Sequence, residues 1–230
     1  MPSLRTALRY LRFPTLMLAQ PGQRRYVLPW IASLMPGSLW RSPRPWLVFD
    51  AISYLNQIDL TNWRIFEYGS GSSTLYWLQR GAHLISVEHD RAWYQMVRTY
   101  LPASAHLDYR LVPPEPLLLP NPDPADPYAY ISSHYPQDGS SYRRYATQID
   151  ACADASLDLV LIDGRARPSC LMHAAPKVRP GGMLILDNSD RLRYQFAAHT
   201  FLRDYQPLVL RGAIPFLAAF SQTTIYTRDP

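Results

Sequence analysis

Apolar positions along the chain change period as it proceeds. Leu4, Leu8 and Leu11 fall at i, i+4 and i+7 with Arg5, Arg9 and Arg12 beside them at the same spacing. That spacing predicts a short basic amphipathic helix stopped by Pro14. Residues 20–45, rich in Pro, Trp and Arg, predict an irregular wrap. From Trp46 the pattern becomes regular, with a helix over Trp46–Gln57, a strand ending at Phe66, a helix over Ser72–Arg80 and a strand over His83–Glu88. Asp90 caps a helix to Tyr100, and His106–Val112 is the third strand. Eight prolines in residues 113–136 exclude a helix or an inner strand there. Beyond them come a helical stretch Tyr142–Ala155, a strongly apolar strand Leu157–Asp163 and a helix Ser169–Val178 stopped by Pro180-Gly181-Gly182. A fifth strand Met183–Leu186, a helix Arg191–Asp204 and two late strands near 208–210 and 223–227 complete the chain. Alternating strands and helices predict an α/β sandwich on a largely parallel sheet.

The chain has 230 residues and 47% hydrophobic content, enough for one domain with a sizeable core plus an extension. Residues 1–45 read as a basic arm, and 46–230 as the domain proper, with a Pro/Tyr-rich insert at 113–147. The net charge of +5 is uneven: residues 1–49 hold seven arginines and no acid, which leaves the remainder at −2. Three uses are open to the basic helix: packing on the domain or a second subunit, lying on an anionic membrane surface, or serving as a targeting segment. Cys152 and Cys170 have neither metal-ligand spacing nor a disulfide pattern, so the expected compartment is reducing and cytoplasmic, with membrane association through the arm as the variant. No run reaches the roughly 18 apolar residues of a spanning helix.

Chemistry concentrates where the strands end, because ligands bind outside the carboxyl ends of strands in such sheets. Those positions are Glu67-Tyr68-Gly69, Glu88-His89-Asp90, Asp163-Gly164-Arg165 and Asp187-Asn188, all of them acidic or amide-bearing. In Glu67-Tyr68-Gly69-Ser70-Gly71 the glycines permit a sharp turn, and Ser72 to Thr74 can open a helix. Strand, turn and helix N-terminus make a cradle for a nucleotide-like ligand. An acid ahead of the glycines suits a ligand with a cationic amino acid end better than a pyrophosphate, favouring S-adenosylmethionine over NAD. Glu88, 17 residues past Gly71, can take both hydroxyls of a ribose.

Glu67-Tyr68-Gly69-Ser70-Gly71 resembles the first motif of class I S-adenosylmethionine-dependent methyltransferases, and Val87-Glu88-His89-Asp90 their second-strand motif. Pro180-Gly181-Gly182-Met183-Leu184 is similar to the turn these enzymes place before the fifth strand. The resemblance covers residues 46–228 and implies a doubly wound, mostly parallel seven-stranded sheet in the order 3-2-1-4-5-7-6, the seventh strand antiparallel. It implies cofactor contacts from Glu67, Tyr68, Gly69, Ser70, Gly71, Ser73, Thr74, Glu88 and Asp163, with Ser73 standing where the usual motif has a third glycine. No acid among Val112, Pro113 and Pro114 matches the residue often found near the adenine. Asp163 with Asp187-Asn188 is also similar to the metal set of catechol and caffeoyl-CoA type O-methyltransferases, which implies Mg²⁺ or Ca²⁺ on Asp163, Asp187 and Asn188. In the competing reading Asp163 meets the cofactor while Asn188-Ser189-Asp190 caps the next helix.

The expected activity is methyl transfer to a hydroxyl of a small molecule or saccharide, with Asp163 and His89 as catalytic residues and His134 as a second candidate base. Tyr128, Tyr130, Tyr135, Tyr142 and Tyr145 on the stiff insert form a lid over the acceptor or pack on the body. Arg165 and Arg167 offer cations for a phosphate or carboxylate on the acceptor, or partners for nearby acids. The alternatives are an NAD-dependent oxidoreductase, a nucleic-acid methyltransferase using the arginine arm, and a non-catalytic scaffold. No RNA- or DNA-reading module accompanies the arm, so nucleic acid is not an expected partner. Asn121-Pro122-Asp123-Pro124 resembles an amino-methylation signature but stands far from the fourth strand's end, where that signature belongs.

Overall fold

Strands that are apolar on successive residues must be covered on both faces, and this chain builds two cores accordingly. The computed structural model describes residues 4–117, 122–132 and 139–230. The helices that open the chain are α1 (Leu4–Ala19), α2 (Val27–Ser33), α3 (Ser38–Arg41) and α4 (Phe49–Leu55). Next come β1 (Arg64–Tyr68), α5 (Ser72–Gln79), β2 (His83–Glu88), α6 (Arg91–Arg98) and β3 (Leu107–Leu111). A ribbon of β4 (Glu115–Pro116) and β5 (Ser140–Ser141) leads into α7 (Arg143–Ala146). The chain closes with β6 (Leu157–Ile162), α8 (Arg167–Ala174), β7 (Val178–Asp187), α9 (Leu192–Phe201), β8 (Tyr205–Ala213) and β9 (Phe220–Arg228).

The large sheet has seven strands in the order β3-β2-β1-β6-β7-β9-β8, parallel except where β9 pairs with β7 and β8. The expected order omits the β4–β5 ribbon, which takes two numbers in chain order. Within the large sheet alone the strands run third, second, first, fourth, fifth, seventh, sixth. Period-2 alternation divides the core. Phe66, Tyr68, Val160, Ile162, Leu184 and Leu186 pack under α7, α8 and α9. Ile65, Leu159, Leu161 and Ile185 pack on the opposite face with Leu47, Leu55 and Trp77.

The arm joins that second core through Phe13, Met17, Tyr26 and Trp30. Two expectations fail here. α1 does not stop at Pro14 but runs through it to Ala19, because flanking Phe13 and Met17 are buried and offset the lost hydrogen bond. Residues 20–45 are not an irregular wrap: they carry α2, α3 and a 3₁₀ turn at Arg24–Tyr26. Gln23 is buried, donating to Asp50 (3.0 Å) and accepting from the Ala213 amide (2.9 Å).

Other boundaries shift for identifiable reasons. Pro180-Gly181-Gly182 does not precede the fifth strand but sits inside β7: Val178 pairs with Leu157 and Met183 with Leu159, so residues 179–182 bulge from the ladder. Helix Tyr142–Ala155 shrinks to α7 and a 3₁₀ turn at Thr147–Ala151.

Glu67 ties the centre together. Fully buried in β1, it accepts hydrogen bonds from Thr74 Oγ1 (2.5 Å) and Trp77 Nε1 (3.0 Å) of α5 and from Ser86 Oγ (2.6 Å) of β2. Burial pushes its carboxyl above the ordinary range, while the Ser73, Ser86 and Thr74 hydroxyls and the Trp77 indole pull it back.

Glu67→Ala strands those donors and is expected to cost roughly 2–5 kcal/mol in urea unfolding, with Glu67→Gln costing less. A raised folded pKa means that the native state holds its proton longer than the unfolded chain. The stabilisation is therefore complete below the unfolded pKa and declines as pH rises through the folded one. Glu67→Gln should flatten that decline, and an unchanged pH profile would count against it.

Candidate functional site

Strand order reverses between β1 and β6, since β2 leaves on one side and β6 lies on the other. The carboxyl ends there open onto a cavity of about 640 Å³, a volume typical of small-molecule sites. Ser70, Glu88, His89 and Trp93 form one wall, and Asp163, Arg167, Asp187 and Asn188 another. Ile214, Leu217 and Phe220, with Trp46, supply an apolar side.

The two strand ends touch at glycines. Gly69 has φ +89°, and a Cβ there would lie 2.9 Å from Gly164 Cα, backbone that cannot rotate away. A Cβ on Gly164 would overlap the Tyr145 hydroxyl. Gly71 differs: its backbone is extended and the nearest atom to a Cβ is 3.8 Å away on Trp93.

Of the expected cofactor contacts, Gly69, Ser70, Glu88 and Asp163 line the cavity. Glu67, Tyr68, Gly71, Ser73 and Thr74 do not. Glu67 faces α5 as described, and Tyr68 points into the core and donates to the Ala146 carbonyl (2.6 Å). Thr74 Oγ1 accepts from the Gly71 amide (3.0 Å), so it builds the turn from behind.

Glu88 is held by hydrogen bonds on both oxygens. Oε1 accepts from the His89 (2.7 Å) and Asp90 (2.8 Å) amides, and Oε2 from the Ser70 amide and hydroxyl (3.1 Å each). Burial pushes its carboxyl up, but the neighbouring His89 ring and the Asp90 and His89 amides outweigh it and hold Glu88 below the ordinary range. The Ser70 hydroxyl also meets Tyr109 Oη at 2.7 Å, a partner it can turn to if another hydroxyl takes its place on Glu88. His89 is not placed as a free base. Its Nε2 accepts from Arg165 Nε (3.0 Å), and its Nδ1 lies 2.7 Å from Glu88 Oε1.

On the facing wall one cation serves two acids. Arg167 Nη2 donates to Asp163 Oδ1 at 2.8 Å, and Nη1 lies 3.9 Å from Asp187 Oδ2 and donates to the Asp187 carbonyl. Burial raises Asp163 against the pull of Arg167, with Asp187 adding to the rise. Burial raises Asp187 too, opposed by Arg167. Asn188 Nδ2 donates to Asp187 Oδ2 (2.7 Å) and Ser221 Oγ (3.1 Å).

Asp163, Asp187 and Asn188, the residues of the expected metal set, meet on this wall around Arg167. The Arg167 guanidinium reaches both acids, and Asn188 turns its amide nitrogen to Asp187. Among the described residues no group of three or more His, Cys, Asp or Glu is disposed to hold a metal.

Tyr142 and Tyr145 pack into the core, Tyr130 Oη meets His173 Nε2 (3.1 Å), and Tyr128 is exposed. The insert reaches the cavity through Pro124, Ile131 and Ser132 instead. His134, Tyr135 and Asn121 lie outside the described residues. Spacing did not point to Tyr194 or the 214–220 loop. Burial pushes the Tyr194 phenol up, yet Arg167 and Arg191 outweigh it and hold it below its ordinary range. The one available signal for the loop was the apolar run Ile214-Pro215-Phe216-Leu217 between two strands.

Three outcomes are expected. Gly69→Ala should cost about 1–3 kcal/mol by thermal melting, whereas Gly71→Ala should be near neutral; equal losses would contradict the close approach at residue 69. Arg167→Ala, leaving two carboxylates without a counter-charge, should cost about 3–5 kcal/mol. EDTA should leave the wild-type melting temperature unchanged, and a fall would restore a metal to this site.

No protein-family model matches the sequence, and no curated protein matches it. Among solved structures it is similar to the O-methyltransferase TomG of Streptomyces achromogenes in complex with SAM, with a TM-score of 0.57 and 15% identity over 92% of this chain and 100% of that one. It is also similar to an O-methyltransferase from Bacillus cereus in complex with SAH, at a TM-score of 0.51 and 14% identity over 97% and 98% of the two chains. A methyltransferase-like protein from Silicibacter pomeroyi aligns at 0.50 with 22% identity over 82% of this chain and 90% of that one. The chain therefore has the fold of class I S-adenosylmethionine-dependent methyltransferases.

Proposed function

We propose that this chain is an S-adenosylmethionine-dependent methyltransferase that modifies a hydroxyl of a small molecule or saccharide. The observation that carries the reading is Glu88. A buried carboxylate held below its ordinary pKa stands at the end of β2, beside the Gly69-Ser70 turn and across the cavity from Asp163.

The residues present fit the cofactor. Gly69 keeps the floor of the turn free of a side chain, and the Ser70 hydroxyl can pass from Glu88 to Tyr109 when ribose hydroxyls arrive. Ser70 and Asp163, which also line the cavity, would border the remaining length of the ligand. When bound, S-adenosylmethionine supplies an activated methyl group on a sulfonium.

The chain's own residues do the rest. Asp163, raised by burial, is the group suited to take a proton from an acceptor hydroxyl, and Arg167 keeps it oriented. His89 is a positioning residue that buttresses Glu88. Arg165 and Arg191 line the cavity as cations for an anionic group on the acceptor. Ile214, Leu217, Ala219 and Phe220 give the cavity an apolar side for the acceptor's carbon frame.

Calorimetry with S-adenosylhomocysteine tests the reading. Wild type should bind, and Glu88→Gln should bind about tenfold or more weakly while its melting temperature confirms folding. Asp163→Asn should retain binding but lose turnover. Absence of binding by folded wild type would reject the proposal.

A further inference from the structure

α1 has two apolar faces. One carries Phe13 and Met17 and is buried, with Phe13 packed 5.1 Å from the Trp30 ring of α2. On the side turned away from that contact, Leu4, Leu8, Leu11 and Leu18 share an arc of about 80°. Leu4 is 78% and Leu11 74% exposed, so the stripe is not a margin of the core. Arg5, Arg9 and Arg12 occupy the adjoining arc and are exposed as well.

α2 repeats the arrangement. Trp30 faces inward, while Leu28, Ile31 and, just past the helix, Met35 face out, Leu28 being 77% exposed. Half of the exposed large apolar side chains among the described residues, nine of 18, fall between Leu4 and Met35, which makes this a surface rather than scattered exposure.

Charge selects the occupant. Residues 1–49 hold seven arginines and no acid, and Arg25 is paired with Asp50. A second copy meeting this face about a twofold axis would bring arginine against arginine with no carboxylate on the arm to pair them. An anionic bilayer offers phosphates for the arginines and an acyl boundary for the leucines. No helix among the described residues is long and apolar enough to cross a membrane, so the contact would be peripheral.

We propose that α1 and α2 form a docking surface for an anionic lipid bilayer. The same helices hold the apolar wall of the cavity. Trp30 Nε1 donates to the Leu217 carbonyl (2.8 Å), Ser33 Oγ accepts from the Phe216 amide (2.9 Å), and Tyr10 Oη donates to the Phe216 carbonyl (3.3 Å). Docking face and acceptor wall therefore share one loop.

Flotation of the full chain with phosphatidylcholine vesicles, with and without phosphatidylglycerol, tests the proposal without any cofactor. The chain should float with the anionic vesicles and dissociate as salt rises. The double variant Leu8→Glu, Leu11→Glu should lower the bound fraction about tenfold or more while circular dichroism and melting temperature stay as in wild type, since both side chains are exposed. Replacing Arg5, Arg9 and Arg12 with Gln should weaken anionic binding in the same direction. No flotation of folded wild type, or equal flotation with neutral vesicles, would overturn the proposal. So would a dimer by light scattering that the glutamates convert to monomer without any vesicle binding.

Discussion

A single carboxyl group with no exposed surface holds the geometry on which the site depends. Glu67 joins the end of β1 to the first turns of α5 and to the middle of β2. Where α5 begins relative to β1 fixes the path of Gly69-Ser70, and that path decides whether the Ser70 amide reaches Glu88. A buried polar group of this kind is costly unless every donor is matched, and the match is what makes the turn unique. The acid of the glycine-turn motif thus stands behind the turn, outside the cavity lining.

The facing wall follows the same rule with opposite sign. Arg167 is buried between Asp163 and Asp187, so the cation that two carboxylates require is covalently part of the chain. A fixed guanidinium orients acids through directional hydrogen bonds, where a hydrated ion would coordinate whatever oxygen came near. The geometry of this wall is then tied to the position of α8, which begins at Arg167 itself.

The strand succession was legible because buried parallel strands are apolar runs with polar ends, and His83–Glu88 was bounded correctly from that alone. Sheet order came with the resemblance rather than with the pattern. The arm was misread because Pro14 and the density of Pro and Trp argue locally against helix, while the burial of Phe13, Met17 and Trp30 decides the matter tertiarily. At the site, adjacency along the chain identified the right neighbourhood but not the direction of each side chain. Glu67 and Tyr68 are consecutive and leave the strand on opposite faces, neither of them towards the cavity. The Asp163–Arg167 pair, four residues apart, acquires meaning only once the loop between them is seen to open a helix.

The meeting of Gly69 with Gly164 constrains how this chain can change over generations. Most crowded contacts can be relieved by shrinking one neighbour when the other grows. Here neither neighbour has a side chain to give up, and the second glycine is pressed in turn by Tyr145. A side chain at Gly69 meets backbone, which no side-chain replacement can move aside. The two positions are therefore expected to drift least in the lineage, while the walls around them remain free to vary.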